Sequence, residues 1–273
     1  MVNVHKANGE IEPFNDEKVR GSILRAGIKK ELADEVLNHV KEKLYDNIPT
    51  SEIYTYITEY LGATPSKAKY SLKRAIMELG PTGFPFEDYI SEILRLEGYI
   101  TEVGSTLSGK CVQHEVDVLA ERDGRKIMVE AKFHNDVGIK TELHVSLYTK
   151  ARFDDIKDKY GLDEAWIVTN TKVSIDAVSY AQCAGMKVIS WSYPENQGIR
   201  DLVEKWKLHP ITALSGLSQS QKQILMQNGT VLCKTVCEKN SILDILNIPL
   251  DKKQEVIDEA TLICNGQVHS QLV

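Results

Sequence analysis

The sequence lacks an apolar run of the roughly 20 residues that a membrane-spanning helix needs. Its amino terminus, Met1-Val2-Asn3-Val4-His5-Lys6, has no apolar core of the kind that directs secretion. A cytoplasmic protein without a membrane span is therefore expected. Cysteine is scarce: Cys111, Cys183, Cys233, Cys237 and Cys264 are odd in number and scattered. No second Cys or His pair accompanies Cys233 and Cys237 to complete a zinc site, so reduced thiols serving as small apolar side chains are the favoured reading. There is no internal repeat, no low-complexity stretch and no glycine-rich phosphate loop of the usual type. Positive charge is also short. A net charge of −6 argues against a protein that coats nucleic acid without specificity.

What is present divides into three. The 273 residues exceed a single typical domain of about 100–200 residues, and two or three modules are expected. Residues 84–206 carry 21 acidic against 15 basic residues, whereas the flanking segments balance. That acidity fits a cation site or a solvated surface equally well. Boundaries are placed at 1–82, 83–207 and 208–273. The first segment opens with a hairpin around Asn8-Gly9 and continues with about four helices. Asn15 caps the first helix, with Val19, Ile23 and Leu24 on one face. Leu32, Val36 and Val40 align on the second, Thr50 and Ser51 cap the third, and the fourth runs from about Ser66 to Leu79. Gly80-Pro81-Thr82-Gly83 then breaks the chain. The second segment reads helix, three strands, helix, strand, helix, strand, helix, which implies an α/β sheet covered on both faces. The third is short and helical.

The chemistry concentrates in Gln113–Glu121 and Lys126–Lys132. Asp123-Gly124 between them favours a two-residue type I′ turn. A hairpin closed there pairs residues whose numbers sum to 247. Val118–Val129, Val116–Ala131 and Ala120–Ile127 then share an apolar face. On the other face Asp117 opposes Glu130 and Glu115 opposes Lys132, with Cβ atoms about 4.5–5.5 Å apart. Two adjacent carboxylates repel unless a cation lies between them. Oxygen-only donors suit Mg²⁺ or Mn²⁺, and a lysine beside them can act on water or on a phosphate. The same three residues would also suit a surface ion-pair cluster. His114, His134 and Asn135 flank the group and are read as packing or hydrogen-bonding residues. Tyr148 and Arg152, four apart on the next helix, suit either a phosphate contact or an ordinary amphipathic surface.

Asp117 followed on the next strand by Glu130-Ala131-Lys132 resembles the PD-(D/E)XK nuclease superfamily, in its Mrr-type restriction-endonuclease branch, over about residues 84–206. The resemblance implies a restriction-endonuclease-like mixed sheet with flanking helices. It assigns Asp117 and Glu130 as metal carboxylates, Lys132 as the catalytic lysine and Glu87 as the acidic residue of the first helix. Val116 stands where the family often has proline. The pattern Val4-x-Lys6-x-x-Gly9, then Glu12-x-Phe14-Asn15-x-x-Lys18, resembles the ATP cone, a regulatory module that binds ATP or dATP, over about residues 2–80. Val4, Lys6, Glu12, Asn15, Lys18 and Thr50 match its nucleotide-contacting positions, and Ala7 stands where it usually has a second basic residue. Read without that resemblance, the segment is a helical packing or dimerisation domain. The third segment is similar to helix-hairpin-helix modules, with Asn247-Ile248-Pro249 in place of their glycine-rich hairpin. A helical cap or an oligomerisation unit fits it as well.

Together these readings lead to a DNA endonuclease, dependent on Mg²⁺ or Mn²⁺, regulated by ATP or dATP and assembled as a homo-oligomer. The alternative is a nucleotide-sensing, DNA-binding regulator with an inert nuclease fold.

Overall fold

The computed structural model describes residues 2–6, 9–62 and 64–265. Two compact units emerge, residues 1–72 with Asn265, and residues 73–264.

In the first unit β1 (Asn3–His5) pairs antiparallel with β2 (Ile11–Pro13), as the hairpin reading requires. Gly9 takes φ +87° and bonds back to the Lys6 carbonyl, while Asn8 and Ala7 lie outside the described residues. Helices α1 (Asp16–Arg25) and α2 (Lys30–Glu42) follow. The Asn15 side chain accepts the Lys18 N–H and caps α1. Ile23 is fully buried, but Leu24 is exposed. Five positions from Val19 lie about 140° round a helix, too far to share its face. A short strand that the pattern did not announce, β3 (Ile48–Pro49), runs parallel to β1 and leads into α3 (Thr50–Leu61). Pro49 occupies the cap position, so Thr50 begins the helix rather than capping it. Val4, Ile23, Val36, Val40, Ile48, Ile53 and Ile57 close the core. Helix α4 (Pro65–Met77) comes next and extends into the residues of the second unit.

The second unit is built on a mixed five-stranded sheet. After α5 (Phe84–Leu96) come β4 (Ile100–Ser108), β5 (Gln113–Arg122) and β6 (Arg125–Lys132), a continuous antiparallel meander. The chain then forms β7 (Lys140–Thr141), α6 (Leu143–Tyr160), β8 (Glu164–Thr169), β9 (Lys172–Val173), α7 (Ile175–Cys183), β10 (Lys187–Ile189) and α8 (Ile199–Trp206). Strand order is β10-β8-β6-β5-β4, with β6, β8 and β10 parallel, while β7 and β9 form a separate two-stranded ribbon. Residues 127–131 of β6 are buried in succession, which requires cover on both faces. Tyr89 and Phe86 of α5 are fully buried, and the Tyr89 hydroxyl donates to the Leu208 carbonyl at 2.7 Å.

Residues 208–264 belong to the same compact unit. They form α9 (Gln219–Gln227), α10 (Cys233–Glu238) and α11 (Leu250–Asn265) with two 3₁₀ turns. The N–H groups of Ser215 and Gly216 donate to the Glu259 carboxylate at 2.7 and 2.9 Å, so that turn already holds an anion from its own chain. Among the described residues no helix is long and apolar enough to cross a membrane.

Candidate active site

The hairpin register holds where the turn controls it. Asp123 and Gly124 take φ +55° and +76°, and the ladder pairs Arg122–Arg125, Glu121–Lys126, Ala120–Ile127, Leu119–Met128 and Val118–Val129. There it stops. The expected pairs Asp117–Glu130, Val116–Ala131 and Glu115–Lys132 are not ladder pairs. Beyond Val118, β5 stays with β4, pairing Glu115 with Thr106 and running to Gln113–Ser108. Meanwhile β6 stays with β8, pairing Lys132 with Thr169. The two strands fork, and Asp117 sits in the fork. Its Oδ2 accepts the Ala131 N–H at 2.6 Å, doing for that amide what a strand carbonyl would otherwise do. On the other side, the position facing Asp117 in the β4 ladder is Gly104, which takes φ +69° and forms no ladder pair.

The fork gathers the acidic groups. Burial raises the Asp117 carboxyl to about 6, and the neighbouring Glu130 charge pushes the same way. Glu87, in the first turn of α5, is raised to about 7 by burial and then by the charges of Asp117, Glu115, Asp88 and Glu130. Glu130 is 7% exposed. Its Oε1 accepts the Tyr148 hydroxyl at 2.7 Å, and its Oε2 pairs with the Arg152 guanidinium. Lys132, Tyr148 and Arg152 line an open cleft of about 850 Å³ that continues past His114 to Cys111 and Val112. Lys132 forms no ion pair among the described residues.

Asp117, Glu130 and Glu87 are thus brought to one region, and Lys132, two residues along β6 from Glu130, lines the adjoining cleft. The flanking residues are occupied with structure. His114 bonds Asp155 at 2.8 Å, and that carboxylate also accepts the Cys111 N–H, tying down the turn between β4 and β5. His134 bonds Thr141, and Asn135 donates to the Pro81 carbonyl. The sequence offered Tyr148 and Arg152 as a phosphate contact or as an ordinary amphipathic surface. Their spacing placed them on one helix face, but nothing in it showed that this face looks onto Glu130.

Among the described residues no three His, Cys, Asp or Glu side chains converge as a metal cage. Two carboxylates without nitrogen or sulfur donors suit a hard cation that keeps much of its water, as Mg²⁺ does, and do not suit a structural zinc. The elevated Asp117 carboxyl reflects burial first and the Glu130 charge second, and a cation between the two would favour the ionised form of both.

In the first unit Glu12 joins Lys6 and Lys18, at 2.9 Å to each. Those bonds raise the Lys6 ammonium and lower the Glu12 carboxyl from their ordinary values. Asn15 caps α1 beside them. Val4 is buried in the core, and Thr50 lies exposed at the start of α3. Val4 pairs with Glu12 across β1 and β2, while Pro49, just before Thr50, pairs with His5.

Three family models match the chain: the ATP cone domain over residues 2–77, a restriction endonuclease over 81–194, and an AF1548-like C-terminal region over 209–264. An uncharacterized protein of Archaeoglobus fulgidus is 40% identical over 172 residues, covering 63% of this chain and 97% of that protein. The crystal structure of AF1548, a protein of unknown function, superposes with a TM-score of 0.60 at 37% identity, over 68% of this chain and all of that one.

Proposed function

This chain belongs to the Mrr-like restriction-endonuclease family, in the form that carries an ATP cone ahead of the nuclease domain, and from that premise we propose that it is a metal-dependent DNA endonuclease controlled by adenine nucleotide. The observation that carries the reading is the strand fork, which sets Asp117 beside Glu130, whose partners Tyr148 and Arg152 line an open cleft together with Lys132.

Asp117 and Glu130 would hold the divalent cation, which when bound polarises a phosphate oxygen and acidifies a water. The Ala131 amide fixes the Asp117 carboxylate, and the Tyr148 hydroxyl orients Glu130. Lys132, at the cleft wall, places a positive charge where the scissile phosphate gathers negative charge and can orient the attacking water. Glu87 adds a carboxyl held near neutrality at the edge of the group, suited to exchanging a proton with that water. In the first unit, Lys6 and Lys18 would take nucleotide phosphates, with Val4, Glu12, Asn15 and Thr50 forming the rest of the nucleotide site.

Incubating the full chain with plasmid DNA and Mg²⁺ or Mn²⁺, with and without ATP and dATP, tests the reading. Nicked or linear product is expected, with a nucleotide-dependent rate. DNA that stays intact under every condition, while the protein still binds it, would instead mark a nucleotide-sensing regulator. The double engagement of Glu130 by Tyr148 and Arg152 gives that second reading its footing.

A further inference from the structure

Glu130 already has a cationic partner from its own chain. The Arg152 guanidinium pairs with its Oε2, while Tyr148, one turn earlier on α6, donates to Oε1. The pair is well shielded, the side chains being 24% and 9% exposed. A guanidinium does not lose its proton in a protein, so Arg152 leaves Glu130 only by moving. It has a place to go, because it lines the same cleft as Lys132, where a DNA strand would pass in the function proposed above.

We propose that Arg152 couples metal binding to DNA binding: it holds Glu130 while the site is free of metal, and cation and phosphate each take one partner of that pair. Two half-reactions show why this produces coupling. A cation bound alone claims Glu130 and leaves a shielded arginine beside a new positive charge. A phosphate bound alone claims Arg152 and leaves Glu130 bare near Asp117. Each is unfavourable, because breaking a shielded ion pair strands one charge. With both ligands present, neither charge is stranded. Each ligand therefore tightens the other, by the same factor in both directions. Bound metal would then be rare until DNA arrives, which restrains the centre in the absence of substrate.

This inference rests on the nuclease reading, since it concerns the same carboxylate. The test is calorimetric titration of the full chain with Mn²⁺, with and without a short phosphorothioate duplex that resists hydrolysis. For the wild type, Mn²⁺ affinity is expected to rise about tenfold with the duplex present. Arg152→Gln is expected to bind Mn²⁺ several-fold more tightly than wild type without DNA, and to lose the response to the duplex. Arg152→Lys, which keeps a charge, should restore part of that response. Lys150→Gln removes a charge from the same helix that pairs with Asp154 instead, and should respond as wild type does. Weaker Mn²⁺ binding by Arg152→Gln, or a full duplex response in that variant, overturns the proposal. So does the absence of any duplex effect in the wild type, which needs no variant to fold. Glu130→Gln separates the two levels of argument. If it binds Mn²⁺ as wild type does, the metal centre itself is wrong and this inference falls with it. If it loses Mn²⁺ while Arg152→Gln matches wild type, only this inference falls.

Discussion

At Asp117 burial and a like-charged neighbour act together, and both favour the protonated form. The unfolded chain holds an aspartate proton with a pKa near 3.9; the folded, metal-free protein holds it up to about 6, and holds that of Glu87 up to about 7. Protonation therefore favours folding. The contribution is complete below about pH 4 and is lost as pH rises through 6 and then 7. In chelator, the protein should be less stable near pH 8 than near pH 5.5 on account of these two groups. Over that interval the Asp117 part is roughly 1 kcal/mol, and that of half-exposed Glu87 is of similar size after screening. Asp117→Asn, which cannot ionise, should flatten that slope in denaturant titrations. A variant whose slope matches wild type would show that Asp117 is not the strained acid.

The same residues divide the chemistry. Asp117→Asn and Glu130→Gln should each abolish metal-dependent cleavage while leaving a folded protein, because the amides remove the ligating charge but keep an acceptor for the Ala131 N–H, the Tyr148 hydroxyl and Arg152. Cutting at wild-type rate by either would remove the proposed centre. Lys132→Ala should lower cleavage by at least about 100-fold, as the loss of one preorganised electrostatic group does, while Mn²⁺ binding changes little. An ammonium cannot ligate a metal, so equal loss of both properties would make Lys132 a structural residue.

At the scale of elements, the fork depends on two departures from regular strand geometry. One is the Asp117 carboxylate standing in for a ladder acceptor; the other is Gly104, at φ +69°, where β4 should face it. A Cβ at Gly104 would meet nothing within 4 Å, so a side chain there is opposed by the backbone alone. Gly104→Ala should therefore cost about 1–2 kcal/mol, read from the denaturant midpoint. An alanine variant as stable as wild type would mean that β4 can adopt an ordinary extended conformation at this point. This is also where legibility ended. Asp123-Gly124 was enough to set five ladder pairs, because a two-residue turn dictates what faces what. The fork was not readable, because a side chain displacing a ladder bond leaves no trace in residue spacing. Nor was the Arg152–Glu130 pair: the spacing from Tyr148 defines a helix face but not the strand it covers. The two-residue strands β3, β7 and β9 escaped for a simpler reason, since two residues carry no period.

Over the whole molecule, one chain joins an ATP cone to a restriction-endonuclease-like domain, and regulation requires nucleotide to favour one state of the protein over another. Binding alone does not suffice, because a ligand with equal affinity for two states shifts nothing. Lys6 and Lys18 now share Glu12, in ion pairs exposed enough to be worth little. A triphosphate can therefore draw both lysines at small cost. Lys6→Ala combined with Lys18→Ala should weaken ATP and dATP binding at least tenfold and uncouple assembly and cleavage from nucleotide. Asp117, Glu130 and Lys132 would remain intact in that variant. Light scattering after size exclusion, with and without each nucleotide, reports any change in assembly, and the same samples can be assayed on DNA. Failure of both nucleotides to bind at millimolar concentration would remove nucleotide control and leave the nuclease centre standing. Binding that alters neither assembly nor cutting would show that the cone binds nucleotide without transmitting it, since its two states would then differ in nothing the nuclease senses.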